Sequence, residues 1–240
     1  LDYSDYMHTD AGMRAWIEAI QLHGVVLLRG VPAQPGQLLD VARRIGPVRP
    51  SNFGEYYDVV SMPNPNASAY TSMGLELHTD LANWNSPPDV QLLFCIRSSV
   101  RGGESLFADG FKVATDLRAR DPEAFRLLSS HPMDFRFHDD ACDIRASAPT
   151  IVLDGEGRIT RVRFNNWLRA PMSLPEPLIE PMYAALGTFW NMLRDPGYHL
   201  NLRLDPGCLI AYNNNRVLHG RASFDPTTGS AQRRTCSSRP

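Results

Sequence analysis

Two imidazoles and a carboxylate stand at a spacing that can hold a metal ion. His78 and Asp80 flank Thr79 in the run HTD, and His219 follows 139 residues after Asp80 in the run VLHG. If the first run is extended, alternation along a strand turns His78 and Asp80 to the same face. A second histidine delivered by a distant strand would complete two nitrogens and one oxygen around a divalent ion, leaving further coordination positions open. That donor set is the one used by non-haem Fe(II) oxygenases. The same residues around zinc would instead activate water for hydrolysis, and an inert remnant of such a site would belong to a binding module. An H-x-D tripeptide alone is a weak motif, so the reading depends on the elements that carry it.

Those elements read as sheet. GLELHTD alternates Leu75 and Leu77 with Glu76 and His78, as a half-buried strand does. Residues 208 to 213, CLIAYN, form an apolar strand launched by Asp205, Pro206 and Gly207, and His219 follows closely. Upstream, Met13, Trp16, Ile17 and Ile20 give a helix over 9–22 that Gly24 stops, with the strand VVLLR next. A second amphipathic helix runs from Pro35 to Ile45, ended by Gly46 and Pro47. VQLLFCI at 90–96 is a buried strand; Gly102 and Gly103 turn the chain into ESLFAD. Short helices cover 111–119 and 122–129, the latter capped by Asp121 with Pro122 at its first position. Residues 151–154 and 158–164 flank a Gly-containing turn as a hairpin, and 177–193 carries an apolar stripe that packs on the sheet. Nothing repeats.

Composition bounds the rest. A chain of 240 residues can bury a substantial core as one domain. Its formal charge of −2, with acids and bases nearly balanced, gives no electrostatic footprint for nucleic acid. No apolar run approaches a membrane span. The four cysteines, Cys95, Cys142, Cys208 and Cys236, have no paired spacing, and Cys95 and Cys208 sit in apolar strands as small hydrophobes. A reducing, cytoplasmic setting is the natural expectation. The opening LDYSDYMHTD is too acidic for a signal peptide and lacks an initiator methionine, which suggests a piece of a longer protein.

An oxygenase with this ligand set also needs a clamp for a dicarboxylate cosubstrate. A guanidinium forms a directional, bidentate pair with a carboxylate, and Arg221, Arg233 and Arg234 all follow His219. Arg233 and Arg234 are adjacent, so on a strand only one of them can face inward.

Taken together, these blocks resemble the gamma-butyrobetaine and trimethyllysine dioxygenase family, part of the taurine-dioxygenase-like 2-oxoglutarate oxygenases. The likeness runs through LDYSDYM, AYT, HTD, PPDVQLLFCI, GGESLFADGF, DPEAFRLLSS, RFNN at 163–166, DPG at 205–207 and RVLHGR at 216–221, in that order. It implies a mainly β fold with helices, a distorted double-stranded β-helix or jelly roll. It implies hydroxylation of a small trimethylammonium carboxylate, with gamma-butyrobetaine as the leading substrate and other betaines or amino-acid-like molecules as alternatives. It also implies Fe(II), 2-oxoglutarate and O2, ascorbate as a stimulant, and a homodimer.

Carried over position by position, the resemblance makes His78, Asp80 and His219 the iron ligands and Arg233 or Arg234 the clamp on 2-oxoglutarate. It places Leu93 in the cosubstrate pocket, Phe53, Tyr57 and Tyr70 in a trimethylammonium cage, and Asn166 near the substrate. Aromatic faces attract a quaternary ammonium that cannot donate a hydrogen bond. Two departures stand out. The chain reads RRTCSSRP after the clamp position, where the family has a strand ending in an aromatic residue and an acidic pair. Phe53, Tyr57 and Ala67 replace a tyrosine, a tryptophan and an asparagine, with Trp84 as a compensating ring. The family's small zinc-binding domain has no counterpart cluster here, so residues 1–240 read as a single catalytic domain.

Overall fold

The computed structural model describes residues 1–34, 36–59, 71–227 and 231–238. The chain opens with α1 (Tyr3–His8) and α2 (Asp10–His23), then β1 (Val25–Leu28), α3 (Gln37–Ile45), β2 (Tyr56–Val59), β3 (Leu75–His78) and β4 (Val90–Ser98). A short β5 (Arg101–Gly102) precedes β6 (Ser105–Asp109), α4 (Gly110–Arg120) and α5 (Pro122–Ser130). Two hairpins follow, β7 (Pro132–His138) with β8 (Asp143–Pro149) and β9 (Ile151–Leu153) with β10 (Ile159–Val162). The chain then forms α6 (Glu176–Arg194), β11 (His199–Leu202), β12 (Leu209–Asn213), β13 (Val217–Arg221), β14 (Phe224–Asp225) and β15 (Ala231–Ser238).

Two antiparallel sheets make the frame, one ordered β1-β12-β4-β15-β2 and the other β11-β6-β13-β3. Side-chain alternation sorts each strand between two layers. On β4, Leu92 and Phe94 pack with Trp16, Leu38 and Val41 of the N-terminal helices, whereas Leu93 and Cys95 turn the other way. There they meet Ile210 and Tyr212 of β12 and, from the second sheet, Phe107 of β6 and Val217 of β13. Leu106, Ala108 and Leu218 face away again, into the largest cluster, under α4, α5 and α6. The molecule is thus a β-sandwich clad in helices on both outer faces, the jelly-roll arrangement the sequence implies, with its sheets not closed into a barrel.

Local chemistry explains most boundaries. The Thr9 hydroxyl accepts the Gly12 amide at the start of α2, and Gly24 ends it in the left-handed conformation at φ 75°. Asp121 caps α5 through the Ala124 amide, with Pro122 in its first turn. Three features differ from the sequence reading. The strand carrying the metal motif ends at His78, so Asp80 lies in a turn rather than on the strand. A separate helix, α1, capped by Asp2, precedes the expected one; α3 runs from Gln37, and its expected start at Pro35 lies outside the described residues. Residues 163 and 164 lie beyond the β9–β10 hairpin. No helix among the described residues is long and apolar enough to cross a membrane.

Candidate metal centre and cosubstrate pocket

The metal motif is built where β3 meets β13. His219 pairs directly with His78 across the two strands, and their rings lie 4.3 Å apart between centroids. This close approach needs Gly220: a Cβ there would stand 2.5 Å from the Leu75 carbonyl oxygen. Past His78 the chain turns sharply, with Leu81 at φ 54°, a conformation that non-glycine residues seldom adopt. The turn brings the Asp80 carboxylate back between the imidazoles. Its Oδ1 is 3.6 Å from His78 Nε2, and its Oδ2 is 3.7 Å from His219 Nε2. The ligand atoms of all three residues lie within 4.8 Å of one another.

Two residues that the sequence reading passed over hold Asp80 in place. Asn214, 2% exposed, accepts the Asp80 amide at 2.9 Å and donates to the Asp80 carbonyl at 3.1 Å and the Pro88 carbonyl at 3.1 Å. Gln91 of β4 donates through Nε2 to Asp80 Oδ2, and the buried Tyr212 ring of β12 packs 4.9 Å from the His219 ring between centroids. A signal existed for both. Gln91 is the lone amide in the apolar run VQLLFCI, and Asn214 belongs to an NNN run directly after an apolar strand. Thr79 meanwhile ties the motif to the RFNN segment: its amide donates to the Phe164 carbonyl at 2.7 Å, and its hydroxyl accepts the Phe164 amide at 3.1 Å.

The electrostatics suit a cation. Burial pushes His219 down to about 4, so its ring is neutral near pH 7. Burial alone would raise Asp80, but the flanking imidazoles and the Gln91 amide outweigh it and hold the carboxyl well below the usual range. His78 Nδ1 lies 2.8 Å from the Glu76 carbonyl oxygen; as a donor there it leaves the Nε2 lone pair facing Asp80, the usual second-shell device for a ligating histidine. A half-buried carboxylate between two imidazole nitrogens therefore fits Fe(II) on its donor chemistry.

Beside this centre a pocket opens between the two sheets. Tyr57 and Val59 of β2, Leu93 of β4, Tyr212 of β12 and Thr235 of β15 line one side; Leu75, the two histidines, Asp80, Gly220 and Arg221 line the other. Expected site residues Leu93, Tyr57 and Arg221 are thus brought to the metal centre. Arg221 is 8% exposed, and its Nη2 donates to the Thr71 and Met73 carbonyls, at 2.6 and 3.0 Å. Phe53 stands 5.4 Å from Tyr57 and 5.6 Å from Phe137 of β7, between ring centroids. Asn166 lies in the segment tied to Thr79, its amide atoms buried with no hydrogen-bond partner among the described residues. Trp84 is placed differently from the expectation: Arg49 lies 4.7 Å over its ring, so a protein cation already occupies one face, and it does not line this pocket. Tyr70 and Ala67 lie outside the described residues, as do the side chains of Arg233 and Arg234.

A model of the family described as "Taurine catabolism dioxygenase TauD, TfdA family" matches residues 1–236. The chain belongs to this family. Among curated proteins it is 39% identical over 235 residues to a gamma-butyrobetaine dioxygenase of Pseudomonas sp. (strain AK-1), covering 98% of this chain and 61% of that protein. It is 34% identical over 232 residues to the human gamma-butyrobetaine dioxygenase, covering 95% and 60%. The chain therefore spans about three fifths of the length of these relatives. Among solved structures, an asparagine oxygenase in complex with Fe(II), 3-hydroxyasparagine and succinate superimposes with a TM-score of 0.72 at 20% identity, over 95% of this chain and 80% of that one. That likeness supports the TauD, TfdA fold seen here.

Proposed function

We propose that this protein is an Fe(II)- and 2-oxoglutarate-dependent dioxygenase that hydroxylates an unactivated carbon of a small trimethylammonium carboxylate, with gamma-butyrobetaine converted to carnitine as the leading reaction. The observation that carries the reading is the His78–Asp80–His219 cluster, His78 buried and the other two half-buried, opening onto a pocket between the sheets. The similarity to two gamma-butyrobetaine dioxygenases supports the choice of substrate. Bound at the cluster, Fe(II) with 2-oxoglutarate supplies the O2 chemistry of the reaction, in which R–H, O2 and 2-oxoglutarate give R–OH, succinate and CO2.

The chain's own residues place the reactants. Position 233 pairs with Val59, which lines the pocket, and with Cys95, which lies in the core between the sheets; position 234 pairs with Asp58 and with Phe94 of the outer layer. Directly opposed residues share a sheet face, and Thr235, two residues on, lines the pocket. This register favours Arg233 as the clamp on the far carboxylate of 2-oxoglutarate, with Leu93 as an apolar wall. Tyr57 and Phe53 take the trimethylammonium group, and Asn166 offers its amide to the polar end of the substrate. Residues 1–240 act as a single catalytic domain in this reading, which extends to a homodimer in the cytoplasm whose turnover ascorbate stimulates.

Succinate formed from 2-oxoglutarate, measured with and without gamma-butyrobetaine and with and without O2, tests this. The expected result is formation that requires both O2 and Fe(II) and rises with the betaine. Substrate turnover without O2 and 2-oxoglutarate would replace the oxygenase reading with a hydrolase, and no turnover with any betaine would favour a binding module.

A further inference from the structure

Large aromatic side chains usually bury most of their area, yet Trp167 is 46% exposed while its ring stands edge-on to a metal-ligand imidazole. The Trp167 and His78 centroids are 5.6 Å apart with planes at 86°. Several bonds fix the backbone that carries the indole. Asn165 Oδ1 accepts the Trp167 amide at 3.0 Å and the Leu168 amide at 3.2 Å, while Asn165 Nδ2 reaches the Thr79 carbonyl at 3.4 Å. With the Thr79–Phe164 bonds, the segment is fastened to the middle of the metal motif itself. An independent observation lies next door: both amide atoms of Asn166 are buried without a partner among the described residues. A polar group left in that state favours a ligand that supplies the missing bonds.

We infer that Trp167 is a specificity-determining residue: its indole is the apolar wall against which the reacting methylene of the substrate is held beside His78, while Asn166 meets the polar end. This rests on the oxygenase reading above. A rigid indole with two side-chain torsions limits lateral movement of the chain, and small misplacements of a reacting carbon are costly to rate. When the C–H bond is out of reach, 2-oxoglutarate is converted to succinate and CO2 with no hydroxylated product, and a two-electron reductant such as ascorbate must take up the remaining oxygen atom as water. The indole therefore sets coupling, meaning product formed per 2-oxoglutarate consumed, more than affinity for 2-oxoglutarate.

Wild type, Trp167→Phe and Trp167→Ala are compared in two measurements. The first is quenching of tryptophan fluorescence by Co(II), a paramagnetic stand-in for iron that needs no turnover. Wild-type quenching should be largely lost in Trp167→Phe, with binding of Co(II) itself, followed by calorimetry, unchanged. The second is coupling with gamma-butyrobetaine, which should fall about ten-fold in Trp167→Ala and be largely restored in Trp167→Phe, at constant KM for 2-oxoglutarate. Undiminished quenching in Trp167→Phe would overturn the placement, and equal coupling in all three proteins would overturn the role. A wild type that makes no product from any betaine would instead bring down the oxygenase reading, and this inference with it, a result separable from equal coupling in active proteins.

Discussion

Replacing Asn214 with alanine isolates the device that turns an aspartate in a tight turn into a metal ligand. The side chain makes three bonds to buried backbone, accepting the Asp80 amide and donating to the carbonyls of Asp80 and Pro88. Each stranded buried group costs about 1–3 kcal/mol, and carbonyls retain some freedom to find water. A net loss of about 3 kcal/mol follows for the three together, which for a chain of this size lowers the melting temperature by roughly 6–12 °C. The second effect concerns the metal. With Asp80 loosened, affinity should drop as it does when an outer-shell partner is lost, about 10–100-fold.

Melting curves with a chelator and with Mn(II), a redox-stable stand-in, separate the two effects. At a Mn(II) concentration about 100 times the wild-type Kd the wild type gains about 2.7 kcal/mol, whereas a variant weakened 10-fold gains about 1.4 and one weakened 100-fold about 0.4. The variant should therefore melt earlier and respond less to the ion. A variant with a lowered melting temperature but the full Mn(II) response would show that Asn214 supports the fold without orienting Asp80. Melting within about 1 °C of wild type in both conditions would refute the bonding argument altogether.

Alanine at His78, Asp80 or His219 should abolish most Fe(II) binding by calorimetry and most turnover; an unchanged titration in all three variants would dissolve the assigned centre. Of the two adjacent arginines, Arg233→Ala should raise the apparent KM for 2-oxoglutarate at least about ten-fold, as loss of a bidentate charge-assisted pair does, while Arg234→Ala leaves it near wild type; the reverse order would contradict the strand register. Tyr57→Leu keeps most of the apolar area but removes the ring quadrupole, so binding of a trimethylammonium substrate should weaken by about 0.5–2 kcal/mol and that of its uncharged tert-butyl analogue by less. Equal weakening would mean that shape alone is read.

The ligand types were legible because metal chemistry dictates them, but their convergence was legible only in outline. The expectation that alternation along an extended HTD joins His78 to Asp80 named the right pair for the wrong reason: the strand stops at His78, and the geometry comes from the turn at Leu81 and from Asn214, 134 residues away. A contact across that separation leaves no local pattern. The β7–β8 hairpin shows the other limit. Met133, Phe135 and Phe137 do alternate along β7, but the connection DDAC has neither the glycine nor the proline that marks a turn, so the pairing escaped notice. The helix α1 is six residues long, too short for periodicity to register, and is set by its Asp2 cap. Long amphipathic elements such as α6 fell within a residue of their expected ends, because a buried stripe repeated over several turns is a strong signal.

The two sheets divide the site in a way that bears on how its parts depend on one another. The histidine ligands come from β3 and β13 of one sheet, while the wall expected to hold 2-oxoglutarate comes from β2, β4, β12 and β15 of the other. Sliding one sheet over the other would leave the histidines together but would disturb Asp80, because Gln91 of β4 reaches its carboxylate and Asn214, just past β12, holds its backbone. Asp80 is therefore the ligand through which the cosubstrate wall and the metal centre are mechanically joined. Perturbing β4 or β12 near these residues should weaken metal and cosubstrate binding together, whereas perturbing β15 at Arg233 should touch the cosubstrate alone. Residues sharing one hydrogen-bond network couple, and those outside it add independently, so a Gln91→Leu and Asn214→Ala double variant should fall short of the sum of its parts, while Arg233→Ala should combine additively with either.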